Sequence, residues 1–289
     1  MTNTETTVTA VATPMAAMPR WRLLAGKPTF LAGAAILLFW VVCAIAGTSI
    51  ASYSPLAQSL LSANTGPSAA HWFGTDQLGR DVLARVITGS RDILVITPLA
   101  TAVGTVCGTA LGLAMGYFGG VLDLVASRIV EAVLALPSVM VAFLFIVALG
   151  PSEVTLVTVI GFIFTPLIAR TVRAAVLAER HLDYLPAARL AGASAWSVMV
   201  IEILPNVLPA VLVEFSVRLG YAIFAVATLS FLGFGIQPPT PDWGADIANS
   251  YQYLGAGYWW EVLFPALAIA SLVVAINLIA DSIEAVIIR

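Results

Sequence analysis

Long runs almost free of charged side chains constrain the fold of this chain more than any other feature. The first run is Phe30–Ile50. A helix needs about 20 apolar residues to cross ~30 Å of hydrocarbon. Over the whole chain, 60% of residues are hydrophobic and 10% are charged, whereas soluble domains average about 25% charged residues. One soluble core of this size cannot hide so much apolar surface, so we expect the bilayer to be the solvent.

The apolar runs predict an all-α membrane protein with six transmembrane helices. We place them at residues 29–51, 93–118, 129–149, 154–172, 207–231 and 264–283. Residues 1–28 form an N-terminal tail, of which residues 1–19 are rich in Thr and Ala, and residues 93–286 form the main transmembrane domain. Pro137 lies inside the third span, where it predicts a kink.

A polar segment, residues 52–92, separates the first span from the second. From Asp81 onward, apolar residues recur at helical spacing, at Val82, Leu83, Val86 and Ile87. This spacing predicts an amphipathic helix that lies at the membrane surface. We therefore expect residues 52–92 to form an external loop with an interfacial helix.

The charge distribution predicts how the helices are oriented in a cell membrane. The segment 170–206 holds the densest group of basic residues, namely Arg170, Arg173, Arg180, His181 and Arg189. The positive-inside rule places this segment in the cytoplasm. The segment 232–261 contains three acidic residues and no Lys or Arg, which fits the outside. Both termini are then cytoplasmic.

Composition and missing motifs exclude several functions. The net charge of −3 argues against a nucleic-acid partner. Lys27, the one lysine, precedes Pro28, so the P-loop pattern is missing and any ATP hydrolysis needs another chain. Cys43 and Cys107 both lie in apolar runs, which indicates no disulfide framework. Neither metal-ligand spacing nor a nucleophile beside a base is visible, so we expect no enzyme activity, metal or cofactor in this chain.

The stretch DYLPAARLAGASAWSVMVIEILPN, residues 183–206, is polar but lies between two apolar blocks. Asp183 can cap a helix, Pro186 is tolerated in a first turn, and Gly192 favours a helix end. The residues between them are mostly small, so the backbone of another protein can approach closely. The pattern predicts a short surface helix that docks onto a partner.

This stretch resembles the cytoplasmic loop of binding-protein-dependent ABC importer permeases. The pattern of that family is E-A-A, three residues, Gly, nine residues, then I-x-L-P, and the chain matches it at Ala187, Ala188, Gly192, Leu204 and Pro205. Pro186 replaces the Glu, and Glu202 replaces the Ile. The resemblance implies that a separate ATPase subunit contacts Asp183, Tyr184, Pro186, Ala187, Ala188, Arg189, Ala191, Gly192, Ala193 and Ser194.

A second stretch, HWFGTDQLGRDVLAR at residues 71–85, resembles the signature H-x-x-G-T-D-x-x-G-R-D-V-L-x-R. That signature is typical of one subunit type in dipeptide, oligopeptide and nickel importers. The matching residues are His71, Gly74, Thr75, Asp76, Gly79, Arg80, Asp81 and Arg85. From the residues alone, the same stretch can also be a solvated hairpin that leads into the next span. The stretch at residues 229–244 resembles the same family.

The resemblance implies the transmembrane domain of a type I ABC importer in a bacterial inner membrane, with a coupling helix between helices 4 and 5. It implies that the chain forms half of a pathway for peptides or a related small solute. The expected partners are a second permease, two ATPase subunits or one fused ATPase that carry ATP and Mg²⁺, and an external solute-binding protein. An alternative is a secondary transporter driven by an ion gradient, with Glu214 as a proton relay.

Glu214 and Arg218 lie four residues apart within the fifth span, on one face, and can form an ion pair. A charge in hydrocarbon costs roughly 2.5–3.5 kcal/mol on insertion scales, so we expect this face to avoid lipid. One alternative is that this face lines the pathway or a subunit interface. The other is that the pair is structural and fixes helix packing. Asn277 in the sixth span has the same alternatives.

Glycines recur at every fourth position of the second span, at Gly104, Gly108, Gly112 and Gly116. Such a stripe lets two helix backbones approach closely in lipid. The sequence leaves open whether the second helix belongs to this chain or to a partner.

Overall fold

A computed structural model of the chain describes residues 24 and 26–287. Almost all of the predicted N-terminal tail therefore lies outside the described residues. Within the described part, the ordered structure is helical, apart from one isolated β-bridge between Thr75 and Asp81. We number the helices α1 Pro28–Ile50, α2 Val82–Phe118, α3 Gly120–Leu134, α4 Ser138–Leu149, α5 Glu153–Glu179, α6 Tyr184–Leu190, α7 Ala195–Phe231, α8 Trp243–Ser250 and α9 Trp260–Ile287.

Five of these helices, α1, α2, α5, α7 and α9, are long and apolar enough to cross a membrane. Helices α3 and α4 meet at an angle of 89° and together can form a sixth span. Pro137 stands directly before α4. Because Pro has no N–H and disfavours helical geometry in the residue before it, a break at this position is expected. The kink predicted at Pro137 is thus a complete interruption of the helix.

Helix α2 corrects the prediction of a separate interfacial helix in the segment 52–92. It runs unbroken for 37 residues from Val82, because the helical pattern that starts there meets no break before the second apolar run. At 1.5 Å per residue it is about 55 Å long, well over the ~30 Å of hydrocarbon. The Asp81 side chain caps it by accepting a 2.7 Å hydrogen bond from the backbone N–H of Ala84.

Helix α7 also begins earlier than the predicted start at residue 207. Its first turn is Ala195–Ser197, the wider π-helical segment Val198–Ile203 follows, and regular α-helix continues over Leu204–Phe231. Buried Val198 and Ile203 hold this lower part against the rest of the bundle. The helix therefore starts directly after the polar loop, without an intervening unstructured stretch.

The glycine stripe of α2 packs against α5 of the same chain. A Cβ atom on Gly108 would lie 2.8 Å from the Cβ of Ile168 and 2.8 Å from the carbonyl oxygen of Thr165. Helix α5 has a glycine in return, since a Cβ on Gly161 would lie 2.8 Å from Val103 Cγ1. The two backbones therefore approach too closely for any side chain at these positions. The structure thus assigns the stripe to packing inside this subunit.

We predict that Gly108→Ala destabilises the protein. The added methyl group would overlap α5 backbone and the branch point of Ile168, neither of which is a flexible side-chain end. Overpacking of this kind costs about 1–3 kcal/mol. Thermal unfolding of the purified protein in detergent should show a clearly lower Tm. The matched control is Gly255→Ala, where an added Cβ meets no atom within 4 Å; equal Tm values for the two variants would contradict the packing assignment.

Candidate functional site

The predicted docking helix is present as α6, and Gly192 ends it as expected. Gly192 has φ +85°, a conformation that favours glycine. The N–H of Gly192 donates to the carbonyl oxygen of Arg189 at 3.0 Å, and the N–H of Ala193 donates to the carbonyl oxygen of Ala188 at 3.1 Å. These two bonds form a Schellman motif, which satisfies carbonyl groups at the helix end. The sharp reversal leaves α6 as a separate short element.

Asp183 does not cap α6 in the way the sequence predicts. Its side chain makes no capping hydrogen bond, and its backbone is already helical at φ −64° and ψ −21°. A capping side chain normally needs an extended backbone at that residue to reach the first free N–H groups. Asp183 is therefore an exposed acidic residue at the start of α6.

Most of the residues predicted to contact an ATPase are exposed on one side of the α6 loop. The exposed members are Asp183, Pro186, Ala187, Arg189, Ala191, Gly192 and Ser194. Tyr184, Ala188 and Ala193 are half-buried. Leu185, between them in the sequence, is buried at 1% exposure. The helix thus has an inner face that packs on the bundle and an outer face of small and polar residues.

Two large, exposed apolar side chains close in sequence to these residues are absent from the predicted set. Leu190 is 89% exposed and Trp196 is 71% exposed. They lie on either side of the turn at Gly192. Large apolar residues on a polar loop are a signal of a contact surface, and the sequence contains that signal in the letters RLAGASAW. The small residues of the stretch alone do not reveal this signal.

Tyr184 ties α6 to the helices on both sides of it. Its hydroxyl donates to Glu179 Oε2 at 2.7 Å and accepts from Asn206 Nδ2 at 3.0 Å. Burial, followed by the hydrogen bond with Glu179, raises the pKa of Tyr184. Near neutral pH the phenol therefore keeps the proton that it donates to Glu179.

Arg189 connects the same helix to the end of α2. Its guanidinium carbon lies 4.8 Å from the centre of the Tyr117 ring, within the range of a cation–π contact. Helix α6 therefore contacts three long helices: α5 through Glu179, α7 through Asn206, and α2 through Tyr117.

A groove of about 590 Å³ lies between α5 and α7, above the α6 loop. Its walls carry the polar residues Thr171, Glu179, Asn206, Glu214 and Arg218 among mostly apolar side chains, and Glu284 of α9 also lines it. Glu214 Oε2 accepts from Arg218 Nε at 2.9 Å, and Glu214 Oε1 accepts from the Thr171 hydroxyl at 2.6 Å. The expected ion pair is therefore formed, and it also joins α7 to α5.

Asn277 is not brought together with that pair. It is exposed on α9 and faces Gly220 of α7, where a Cβ would lie 2.9 Å from its Oδ1 atom. It does not line the groove. The three residues that the sequence groups as pathway or interface candidates therefore belong to two different places.

Residues 108–289 match the family described as the binding-protein-dependent transport system inner membrane component. The chain belongs to this family. The assignment confirms the resemblance found in the sequence and decides for an ABC importer permease against the ion-driven alternative. Such a permease is a membrane component of a bacterial ABC importer, which implies ATPase and substrate-binding partners.

Relatives of this permease match it over nearly its whole length. It is 38% identical to the dipeptide transport system permease protein DppC of Escherichia coli (strain K12), over 97% of this chain and 96% of that protein. It is 36% identical to DppC of Bacillus subtilis (strain 168), over 91% of this chain and 82% of that protein. It is 35% identical to the probable D,D-dipeptide transport system permease protein DdpC of Escherichia coli (strain K12), over 91% of this chain and 88% of that protein.

A solved structure supports the fold. The MetNI methionine ABC transporter, in inward facing conformations, matches this permease with a TM-score of 0.57. The match covers 71% of this chain and 97% of that chain at 21% identity. This likeness confirms the predicted fold class, an all-helical transmembrane subunit of the type I ABC importer kind.

At the other end of the permease, the signature residues form a buried hydrogen-bonded turn. Arg80 Nε donates to Asp76 Oδ2 at 2.6 Å, and the backbone N–H groups of Leu78 and Arg80 donate to Asp76 Oδ1, each at 2.9 Å. His71 Nδ1 lies 2.7 Å from Asp81 Oδ2. Thr75, Asp76, Arg80 and Asp81 are all buried. The alternative of a solvated hairpin is therefore wrong for this segment.

Two of the signature glycines have structural reasons to be glycine. Gly74 and Gly79 have φ values of +75° and +70°, which other residues rarely adopt. Gly79 also packs directly on the Ser59 backbone, and Gly74 packs on the Trp260 ring. These contacts hold the turn against the rest of the loop.

The turn and the start of α2 are joined to α8 and to the first residue of α9 by contacts that the sequence does not reveal. Arg85 Nε donates to both carboxylate oxygens of Asp246 at 3.1 Å, across 161 residues. Burial raises the pKa of Asp246, and the Arg85 charge opposes this effect. The Trp260 indole N–H donates to the carbonyl oxygen of Thr75 at 3.1 Å, and that of Trp243 donates to the carbonyl oxygen of Val86 at 2.9 Å. The result is a closely packed polar cap.

Proposed function

We propose that the chain is the permease subunit of an ATP-driven importer for dipeptides or related short peptides, and that it forms half of the pathway beside a second, similar permease. The observation that carries this proposal is the match to DppC of Escherichia coli, at 38% identity over 97% of this chain and 96% of that protein. Because the match covers both chains almost completely, it includes the α6 loop, the signature turn and all of the long helices.

In this proposal the outer surface of α6 docks into a groove of a separate ATPase subunit. We call this surface the docking surface and define it by Ala187, Leu190, Ala191, Gly192 and Trp196. Its small residues permit close approach, while Leu190 and Trp196 supply apolar area at 89% and 71% exposure. Buried aromatic side chains are frequent hot spots of protein interfaces. ATP and Mg²⁺ belong to the ATPases, of which the importer has two or one fused pair.

The ATPases drive transport by moving α6. When ATP closes the two ATPase subunits, the docking helices of the two permeases approach each other. Helix α6 is tied to α2, α5 and α7, so these long helices follow. ATP thereby favours one of two conformations of the permease pair, which is how a ligand shifts an equilibrium between states. The α6 end and both termini are cytoplasmic, and the signature turn faces the external solute-binding protein.

The groove between α5 and α7 belongs to the translocation pathway in this proposal. It opens beside the docking helix and contains the Glu214–Arg218 pair, whose side chains are 14% and 18% exposed. A dipeptide carries an ammonium group and a carboxylate, so a wall that presents both signs of charge suits its passage. Asn277, on α9, is assigned to the contact with α7 and not to the pathway.

We predict that uptake requires ATP and does not require an ion gradient. The permease is reconstituted in vesicles with its second permease, its ATPases and its solute-binding protein, and uptake of a labelled dipeptide is measured. Uptake should persist when the membrane potential is collapsed and should stop when ATP is omitted. Uptake driven by an imposed proton or sodium gradient in the absence of ATP would overturn the proposal.

We predict that Trp196→Ala weakens ATPase binding while the fold is retained. The side chain is 71% exposed in this chain, so its loss removes interface area without opening a cavity in the bundle. Hot-spot truncations cost 2 kcal/mol or more, which is roughly a thirty-fold loss of affinity. Co-purification of the ATPase from detergent measures the effect, with unchanged Tm as the check on folding. Trp72→Ala, also 71% exposed but in the signature turn, is the matched control and should keep the ATPase bound.

We predict that exchanging the charges of the groove pair does not restore transport. The single variants Glu214→Arg and Arg218→Glu each leave two like charges together and should lose uptake. The double variant re-forms an i, i+4 pair but no longer offers an acceptor to the Thr171 hydroxyl, so Tm should recover in large part. If the pair lines the pathway, dipeptide uptake stays low because the charges have moved. Full recovery of uptake in the double variant would show that the pair is structural only.

A further inference from the structure

Two polar bridges join α5 to α7 across the groove. The lower bridge runs from Glu179 through the Tyr184 hydroxyl to Asn206, with distances of 2.7 and 3.0 Å. The upper bridge is the 2.6 Å hydrogen bond from Thr171 to Glu214. The bridges are eight residues apart on both helices, which corresponds to about 12 Å. The two helices are therefore fastened above and below the groove, and the lower fastening passes through α6.

The lower bridge depends on a phenol for chemical reasons. The hydroxyl of Tyr184 donates to a carboxylate and accepts from an amide at the same time, so one rigid side chain contacts both walls. The amide of Asn206 is oriented for this role, because its Nδ2 also donates to the carbonyl oxygen of Glu202 at 2.9 Å. Hydrogen bonds to charged groups are stronger than those between neutral groups. The phenol is therefore firmly attached to the α5 side.

The other contacts of the inner face of α6 are apolar, through Leu185 and Ala188. Of the six side chains of α6 beyond Tyr184, Leu185 is the buried one. The helix packs mainly on the π-helical start of α7, and Gly192 at its end meets no neighbouring atom where a Cβ would lie. Arg189 adds the contact with Tyr117 of α2. The Tyr184 hydroxyl is the group of α6 that forms hydrogen bonds with side chains of both α5 and α7.

We propose that the Tyr184 hydroxyl transmits movement of α6 to both walls of the groove, so that Tyr184 is a positioning residue of the transport cycle. This inference rests on the proposed function, in which an ATPase moves α6. With the hydroxyl in place, displacement of α6 shifts Glu179 and Asn206 together. Without it, α6 shifts against the walls, and the ATPase cycles without opening or closing the groove.

The test is Tyr184→Phe in the reconstituted importer, with uptake, ATP hydrolysis and ATPase co-purification measured in parallel. Phe keeps the ring and deletes only the hydroxyl. We expect the ATPase to remain bound and active, and uptake per ATP hydrolysed to fall about ten-fold, the effect of losing a hydrogen bond to a charged group. The matched control is Tyr117→Phe, which keeps the ring beneath Arg189 and should couple like the wild type.

Two further variants separate transmission from folding. Glu179→Gln keeps an oxygen that accepts from the phenol, so coupling should be largely retained. Asn206→Ala cuts the link to α7 alone, so uptake per ATP should fall partly, and this variant decides the matter if Tyr184→Phe does not fold. The inference is overturned if Tyr184→Phe or Asn206→Ala shows the same uptake per ATP hydrolysed as the wild type. It is also overturned if Tyr184→Phe no longer binds the ATPase. Failure of the proposed function is distinct, because the wild-type importer itself would then show no ATP-driven uptake.

Discussion

The contact between the backbones of α2 and α5 is the constraint on which the rest of the structure depends. In lipid, apolar side chains gain little by leaving their surroundings, so helices associate through close packing and polar contacts. The glycines of α2 at positions 104, 108, 112 and 116 let α5 approach until an added Cβ would lie within 2.6–2.8 Å of its atoms. This contact holds α2 and α5 together as one unit. Helix α5 also forms one wall of the groove.

Polar groups are concentrated at the two ends of this unit. At one end there are two buried ion pairs: Asp76 with Arg80 inside the signature turn, and Arg85 of α2 with Asp246 of α8. Removing one member of such a pair leaves an uncompensated buried charge, which is strongly destabilising. At the other end, Tyr184 is half-buried while Arg189 and Asn206 are exposed. The first end is therefore closely packed and buried, whereas the α6 end is the more exposed one, which fits its proposed role as the end that an ATPase moves.

The sequence predicts local features well and distant pairings poorly. Apolar runs, the glycine period and the turn at Gly192 are local, because each follows from residue types at fixed spacing. The continuity of α2 was missed because a polar start suggested a separate element, although nothing breaks the helix. The Arg85–Asp246 pair joins residues 161 positions apart, so only the folded chain reveals it. Trp196 was available in the sequence but stands outside the family pattern.

In the proposed cycle, the hydrogen bonds of the α6 loop transmit displacement of α6 to α5 and α7. Apolar packing resists separation but permits sliding, whereas a short hydrogen bond fixes both distance and direction. A docking helix held only by Leu185 could slide along the bundle when an ATPase displaces it. A docking helix that is also bonded through one phenol to Glu179 and Asn206 carries both helices with it. In the proposed cycle, this one hydroxyl therefore adds a directional link between movement of α6 and both walls of the groove.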